Sequence, residues 1–245
     1  MRIAFLASSA KVAQIALKAL VDRYGNVPPH EAEVIVALGG DGFMLRTMHE
    51  TVDLPAPVYG MNRGTVGFLL NEYHEEALIE RRGEAEQEII NPLSMTAMGR
   101  DGKIHHALAI NEVSLLRAGP QAARLKISVD GRQRLAELVC DGALVSTPAG
   151  STAYNYSAHG PILPIGADVL ALTAVAAFRP RRWRGALLPS TANVRFDVLE
   201  ADKRPVMAEA DSISFKNIDW VEIRTDTSIR HKILFDPGHG LEERL

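Results

Sequence analysis

Four short segments of this 245-residue chain combine reactive side chains with bare backbone. The first, Gly39-Gly40-Asp41-Gly42, follows an apolar run and precedes a helical stretch from Phe43 to Glu50. Glycines let a backbone approach a ligand closely, and amides at a helix start can point at phosphate oxygens. A carboxylate among them would repel phosphate unless it has a task nearby. Accepting a proton from an attacking hydroxyl, as in phosphoryl transfer, is such a task. The same four residues also suit an ordinary strand-to-helix turn with Asp41 as the cap.

The second segment, Thr147-Pro148-Ala149-Gly150-Ser151-Thr152-Ala153-Tyr154-Asn155-Tyr156-Ser157, gathers small residues, hydroxyls and two aromatics. Hydroxyls can bond phosphate or ribose, and tyrosine can border a base. It lacks the lysine of a Walker A loop. By composition alone it reads as a capped helix start on a polar loop. The third, Asn111-Glu112, offers an amide and a carboxylate suited to ribose hydroxyls or an exocyclic amine, although a solvated strand end fits the pair as well. The fourth, Gly60-Met61-Asn62-Arg63-Gly64-Thr65-Val66-Gly67-Phe68-Leu69, is not the G-x-G-x-x-G of a dehydrogenase. Its Asn62 and glycines could line a nucleotide cleft.

These segments need elements to hold them. Ile3 to Ala7, Val34 to Leu38 and Pro57 to Tyr59 are short apolar runs suited to buried strands. Between them Val12, Ile15, Ala16, Ala19 and Leu20 recur at helical spacing, with Gly25 as a stop. Alternating strands and helices predict a parallel α/β layer. Near Asn91-Pro92 the texture changes to strand, turn, strand, with Asp101-Gly102 and Asp130-Gly131 as hairpin turns. The second half therefore reads as mainly antiparallel β, with one helical insertion around Asp168 to Phe178. Leu241 to Leu245 resembles the first turn of a helix cut short, which suggests that the natural chain continues.

Bulk composition narrows the class. Hydrophobic residues are 47% and charged residues 23%, as in soluble globular proteins, and the net charge of -3 argues against a general nucleic-acid footprint. Cys140 is the only cysteine, which excludes an intrachain disulfide and suits a small buried hydrophobe. No run is long enough to span a bilayer, and a reducing cytoplasm is the expected compartment. His105-His106 sits on a predicted strand with its side chains on opposite faces, a poor arrangement for one metal. Edges of a β-rich domain favour self-association as a dimer or tetramer.

Taken together, the four segments resemble the NAD kinase family, which carries a G-G-D-G turn, a G-x-N-x-G-x-x-G-F-L segment, an N-E pair and a T-P-x-G-S-T-A-Y stretch in that order. The resemblance implies an α/β nucleotide-binding domain over residues 1–91, completed by 230–245 returning from the C-terminus. It also implies a β-rich, NAD-binding and oligomerising domain over 92–229. It makes Asp41 the base for a ribose 2′-hydroxyl and puts Gly39, Gly40 and Gly42 around phosphates, with Asn62 nearby. Asn111 and Glu112 would hold the riboses or the nicotinamide side. Asp141 and Ser157 would face the nicotinamide end, and Thr152, Ala153 and Tyr154 the adenine end. ATP would be the donor, NAD the acceptor and a divalent ion such as Mg²⁺ the helper. The family's usual histidine before Arg179-Pro180 is missing, its D-G-Q segment is replaced by Met207 to Asp211, and a basic cluster, Arg181-Arg182-Trp183-Arg184, follows. A lipid kinase sharing the glycine turn, or a non-catalytic nucleotide sensor, are the rival readings.

Overall fold

A computed structural model describes residues 1–181 and 183–238. Arg182 of the basic cluster and the Leu241 to Leu245 turn lie outside the described residues. The chain divides into two compact units. One contains Met1–Ile90 and the stretch from Ile229 onward; the other is Asn91–Ser228.

The first unit is built on a five-stranded sheet. Ile3–Ala7, Val34–Gly39 and Val58–Asn62 pair in parallel in that order. The strand His231–Phe235 adds in parallel beside Val58–Asn62, and Glu86–Ile90 closes the edge antiparallel. Every residue of Val34–Gly39 is buried, as befits a parallel strand covered on both faces. The helix Lys11–Tyr24 ends at Gly25, whose φ of 76° and N–H bond to the Val21 carbonyl terminate it. Its buried stripe is Ala13, Ala16 and Leu20, whereas Val12 and Ile15 are exposed. The expected apolar face is thus rotated by one position. Alanines on the inner face let the helix lie close to the sheet, and this close packing outweighs burial of the two β-branched side chains.

Buried polar groups tie the last strand into this sheet. The Tyr59 hydroxyl donates to Asp236 Oδ1 at 2.5 Å, and Arg81 pairs with the other oxygen. Asn71 Nδ2 donates to the Gly60 and Leu234 carbonyls at 3.1 and 2.9 Å, while its Oδ1 accepts the Asp236 N–H at 2.8 Å.

The second unit consists of two six-stranded antiparallel sheets. One runs Gly185–Pro189, Val169–Val175, Gly142–Ser146, Glu112–Arg117, Val206–Ala210, Ile213–Phe215. The other runs Ile104–Ala109, Leu93–Gly99, Ile218–Thr225, Val194–Val198, Ala123–Val129, Arg132–Cys140. Burial alternates along Leu93–Gly99 and Ala123–Val129, and their inward residues share one core with Val113, Leu115, Val145 and Val206 of the facing sheet. At the Asp130-Gly131 turn both residues have positive φ, 52° and 72°, as a tight hairpin requires.

The helix expected around Asp168 to Phe178 is instead the strand Val169–Val175, paired with Gly142–Ser146 and Gly185–Pro189. Its five central residues are all buried. A strand covered on both faces shows no alternation, so Leu-Ala-Leu-Thr-Ala imitates a helical run. Among the described residues, this unit's helical elements are the 3₁₀ turn Ala149–Thr152 and the single turn Tyr154–Ser157. No described helix is long and apolar enough to cross a membrane.

Candidate active site

In the first unit, the glycine turn joins Val34–Gly39 to the helix Asp41–Glu50. Gly40 is the residue before the helix, and its carbonyl accepts the N–H groups of Phe43 and Met44. No side chain caps this helix. Asp41 is therefore not a cap but the first helical residue, and one of its oxygens, Oδ1, accepts the Leu69 N–H at 3.0 Å. The three glycines differ in why they are glycine. A Cβ on Gly39 would lie 2.6 Å from Phe43 Cβ, a packing demand. One on Gly42 would meet nothing within 4 Å. Gly40 is approached by another glycine, since a Cβ on Gly64 would sit 2.9 Å from Gly40 Cα. The Arg63 N–H donates to the Gly39 carbonyl at 2.7 Å, and Asn62 Oδ1 accepts the Gly64 N–H at 2.8 Å. The first and fourth segments are thus packed together. The fourth segment borders a cavity of about 580 Å³ lined by Asn62, Arg63, Gly67, Leu70, Asn71, Glu72 and Tyr73.

In the second unit, Asn111-Glu112 and the Thr147 segment form one cluster. Glu112 lies opposite Ser146 across paired strands. The Thr147 N–H donates to the Asn111 carbonyl at 2.9 Å, and the Thr147 hydroxyl donates to the Ile110 carbonyl at 2.7 Å while accepting the Gly150 N–H at 3.0 Å. A Cβ on Gly150 would collide with the Asn111 carbonyl, so only glycine lets the turn settle there. Further along, the Asn155 amide donates to the Ser151 and Pro161 carbonyls at 3.1 and 2.8 Å, and its Oδ1 accepts the Thr173 hydroxyl at 2.6 Å. Thr147, Ser151 and Asn155 are buried. The segment is therefore a buried polar scaffold rather than a solvated loop.

Within this scaffold Asn111 Oδ1 and Glu112 Oε2 are enclosed and have no hydrogen-bond partner in the protein. Buried polar atoms nearly always find partners, so a pair that does not is suited to a ligand's donors. Glu112 is pushed up to about 8, first by burial, then by the charges of Asp211 and Glu209, against one lowering bond from the Tyr154 N–H. The Tyr154 hydroxyl is raised by burial and by the carboxylates of Glu209, Glu112 and Asp141. Thr152 and Ala153 belong to the same turn.

Two further expected residues lie outside the hydrogen-bonded cluster of Asn111 and Thr147. Asp141 precedes Gly142, at the opposite end of the strand from Ser146, and its Oδ1 pairs with Arg117 Nε at 2.6 Å. Ser157 closes the short helix with an exposed side chain. Sequence reading gave no role to Asp211, whose carboxylate accepts the N–H groups of Ile110, Asn111 and Glu112 at 2.7, 3.0 and 3.3 Å. About a hundred residues separate these partners, and no spacing rule links them. Cys140 is a buried core residue, its thiol raised to about 12 by burial. Among the described residues no three His, Cys, Asp or Glu side chains form a group able to hold a metal.

Residues 7–81 match the ATP-NAD kinase N-terminal domain, and residues 110–227 match the ATP-NAD kinase C-terminal domain. An NAD kinase of Cereibacter sphaeroides is 72% identical over 244 residues, covering 100% of this chain and 96% of that protein. The chain belongs to the NAD kinase family. An NAD kinase of Caulobacter vibrioides is 58% identical, with 100% of this chain and 94% of the relative covered. Among solved structures, the NAD kinase of Archaeoglobus fulgidus in complex with ATP superimposes with a TM-score of 0.79 at 25% identity, covering 99% of this chain and 96% of that one. Yeast NADH kinase complexed with NADH has the same fold, with a TM-score of 0.84 at 19% identity over 99% of this chain and 86% of that one. As an NAD kinase, the protein is a phosphotransferase acting on an alcohol group.

Proposed function

We propose that the enzyme transfers the γ-phosphoryl group of ATP to the 2′-hydroxyl of the adenosine ribose of NAD, with Asp41 as general base. The ribose oxygen attacks the γ-phosphorus and the bond to the β–γ bridging oxygen breaks. ADP leaves, and the hydroxyl proton passes to Asp41. One observation carries this reading: a carboxylate in the first turn of a helix, flanked by glycines, with Oδ1 held by the Leu69 N–H. That bond engages one oxygen and leaves Oδ2 as the proton acceptor. The Gly42 amide, which lies among the helix-start donors without an intrahelical partner, offsets phosphate charge, and Gly39 and Gly40 leave room for it. Asn62 borders the cavity lined by the fourth segment, whose Arg63 N–H bonds the Gly39 carbonyl of this turn. Asn111 and Glu112 contact ribose hydroxyls through their enclosed oxygens. Tyr154, Thr152 and Ala153 take the adenine side, and Asp141 with Ser157 the nicotinamide side.

A divalent ion such as Mg²⁺ enters as part of the nucleotide. The single carboxylate at the glycine turn offers no cage, which fits an ion held chiefly by ATP's own phosphates. We place the reaction in the cytoplasm, which suits the lone unpaired Cys140, and expect a homo-oligomer, with light scattering as the check on its order. The test of function is direct. Purified protein is incubated with NAD, ATP and Mg²⁺, and the product is identified by mass spectrometry and phosphorus NMR. NADP bearing a 2′-phosphate is expected. A product phosphorylated elsewhere, or none, would overturn the reading.

A further inference from the structure

Asp211 has no part in the reaction just described, yet it is built into the Asn111–Glu112 cluster. It follows the strand Val206–Ala210, which pairs with Glu112–Arg117 so that Ala210 faces Val113. One residue later the chain leaves the ladder. Asp211 adopts the left-handed conformation, with φ of 50°, and its own N–H still bonds the Glu112 carbonyl at 3.2 Å. That bend carries its carboxylate back over the start of the neighbouring strand. Oδ2 accepts the Ile110 N–H, and Oδ1 accepts those of Asn111 and Glu112. Bonds of this kind to an ionised carboxylate are stronger than neutral ones. On the acceptor side, the Ile110 and Asn111 carbonyls are bonded by Thr147 and Ser146. The backbone at Asn111 is thus fixed through both its donors and its acceptors. The enclosed atoms left over are Asn111 Oδ1 and Glu112 Oε2.

We propose that Asp211 is a positioning residue for the dinucleotide: by gathering three backbone N–H groups, it aims Asn111 Oδ1 and Glu112 Oε2 at the vicinal hydroxyls of a ribose. The proposal rests on the reading of Asn111 and Glu112 as NAD contacts. It also gives Asp211 an electrostatic effect. Asp211 and Glu209 are the negative groups that act on Glu112, and the Tyr154 N–H opposes them. Removing the Asp211 charge therefore moves the ionisation of Glu112 to lower pH.

Two substitutions in the full-length enzyme test this. Asp211→Asn keeps the size and the tolerance for left-handed backbone but exchanges an acceptor for a donor. Asp211→Gly keeps the backbone freedom and removes the carboxylate. Both are expected to raise KM for NAD about tenfold, the equivalent of one charged hydrogen bond, while kcat and KM for ATP stay within about twofold. In Asp211→Asn the midpoint of the pH dependence of KM for NAD should move down relative to the parent. A Glu112→Gln control separates the two layers of argument. If it leaves KM for NAD unchanged, the pair does not contact NAD and the parent reading fails. If it raises KM but both Asp211 variants bind NAD normally, the positioning role alone is overturned. If the variants lose thermal stability and both KM values rise together, Asp211 is merely structural and the proposal is overturned.

Discussion

At Gly39 to Gly42 side chains are pared away, whereas from Asn111 to Asn155 buried space is filled with hydroxyls, amides and carboxylates. The glycine turn presents backbone donors at a helix start, with one carboxylate held by one backbone N–H. The second region ties the polar groups of Thr147, Ser151 and Asn155 to neighbouring backbone and side chains and leaves two oxygens, Asn111 Oδ1 and Glu112 Oε2, enclosed and unpaired. The turn thus suits close approach by a charged, shape-tolerant group such as a phosphate. The scaffold suits recognition of a particular pattern of hydroxyls, since an unmatched ligand would leave buried acceptors unsatisfied. The proposed mechanism puts the chemistry in the first region and the specificity in the second.

Several substitutions would break or sharpen that contrast. The largest effect is expected from Asp41→Asn, which should lower kcat by roughly 10²–10⁴ and leave KM for NAD within about twofold; steady-state kinetics decides. A variant with most of its turnover would remove chemistry from the glycine turn. Next is Asn155→Leu in the scaffold. It would strand the Ser151 and Pro161 carbonyls and the Thr173 hydroxyl, at a cost of about 3 kcal/mol in denaturant unfolding.

A pH effect, smaller per pH unit, comes next. Folding raises Glu112 from 4.5 to about 8. Between those values the folded state keeps a proton that the unfolded chain releases. The contribution of Glu112 to stability is thus complete below pH 4.5 and falls as pH rises toward 8, by at most about 1.4 kcal/mol per pH unit. Thermal melts of Glu112→Gln should lack that decline. The smallest effect on stability belongs to Gly42→Ala. Its Cβ meets nothing, so stability should stay level or rise by about 0.5 kcal/mol, because alanine is the better helix former. KM for ATP should nevertheless rise several-fold, the mark of a glycine kept for a ligand. An unchanged KM would show that phosphate does not approach there.

Local rules made part of this legible. Short apolar runs marked the parallel strands, Gly25 marked a helix end, and Asp130-Gly131 marked a hairpin, because each depends on near neighbours in sequence. Two elements misled for a shared reason. Val169–Val175 is buried on both faces, and Lys11–Tyr24 buries alanines in place of Val12 and Ile15. In both, tertiary packing decides what composition leaves open. The motif residues of the site could be found from their order along the chain. The enclosure of Asn111 Oδ1 and Glu112 Oε2, and the hold of Asp211 on their backbone, could not. Those arise from strand pairing between residues about a hundred positions apart.

The strand His231–Phe235 lies inside the first sheet, between Val58–Asn62 and Glu86–Ile90, rather than at its margin. During synthesis, Glu86–Ile90 therefore emerges long before the strand that must separate it from Val58–Asn62. The β-rich unit, whose strands all lie between those points in the chain, can assemble while the first sheet stands open. Translation must reach Phe235 before that gap closes. At roughly 5–20 residues per second the stretch from Ile90 to Phe235 takes roughly 7–30 seconds, and for that time the nascent chain exposes unpaired strand edges to chaperones.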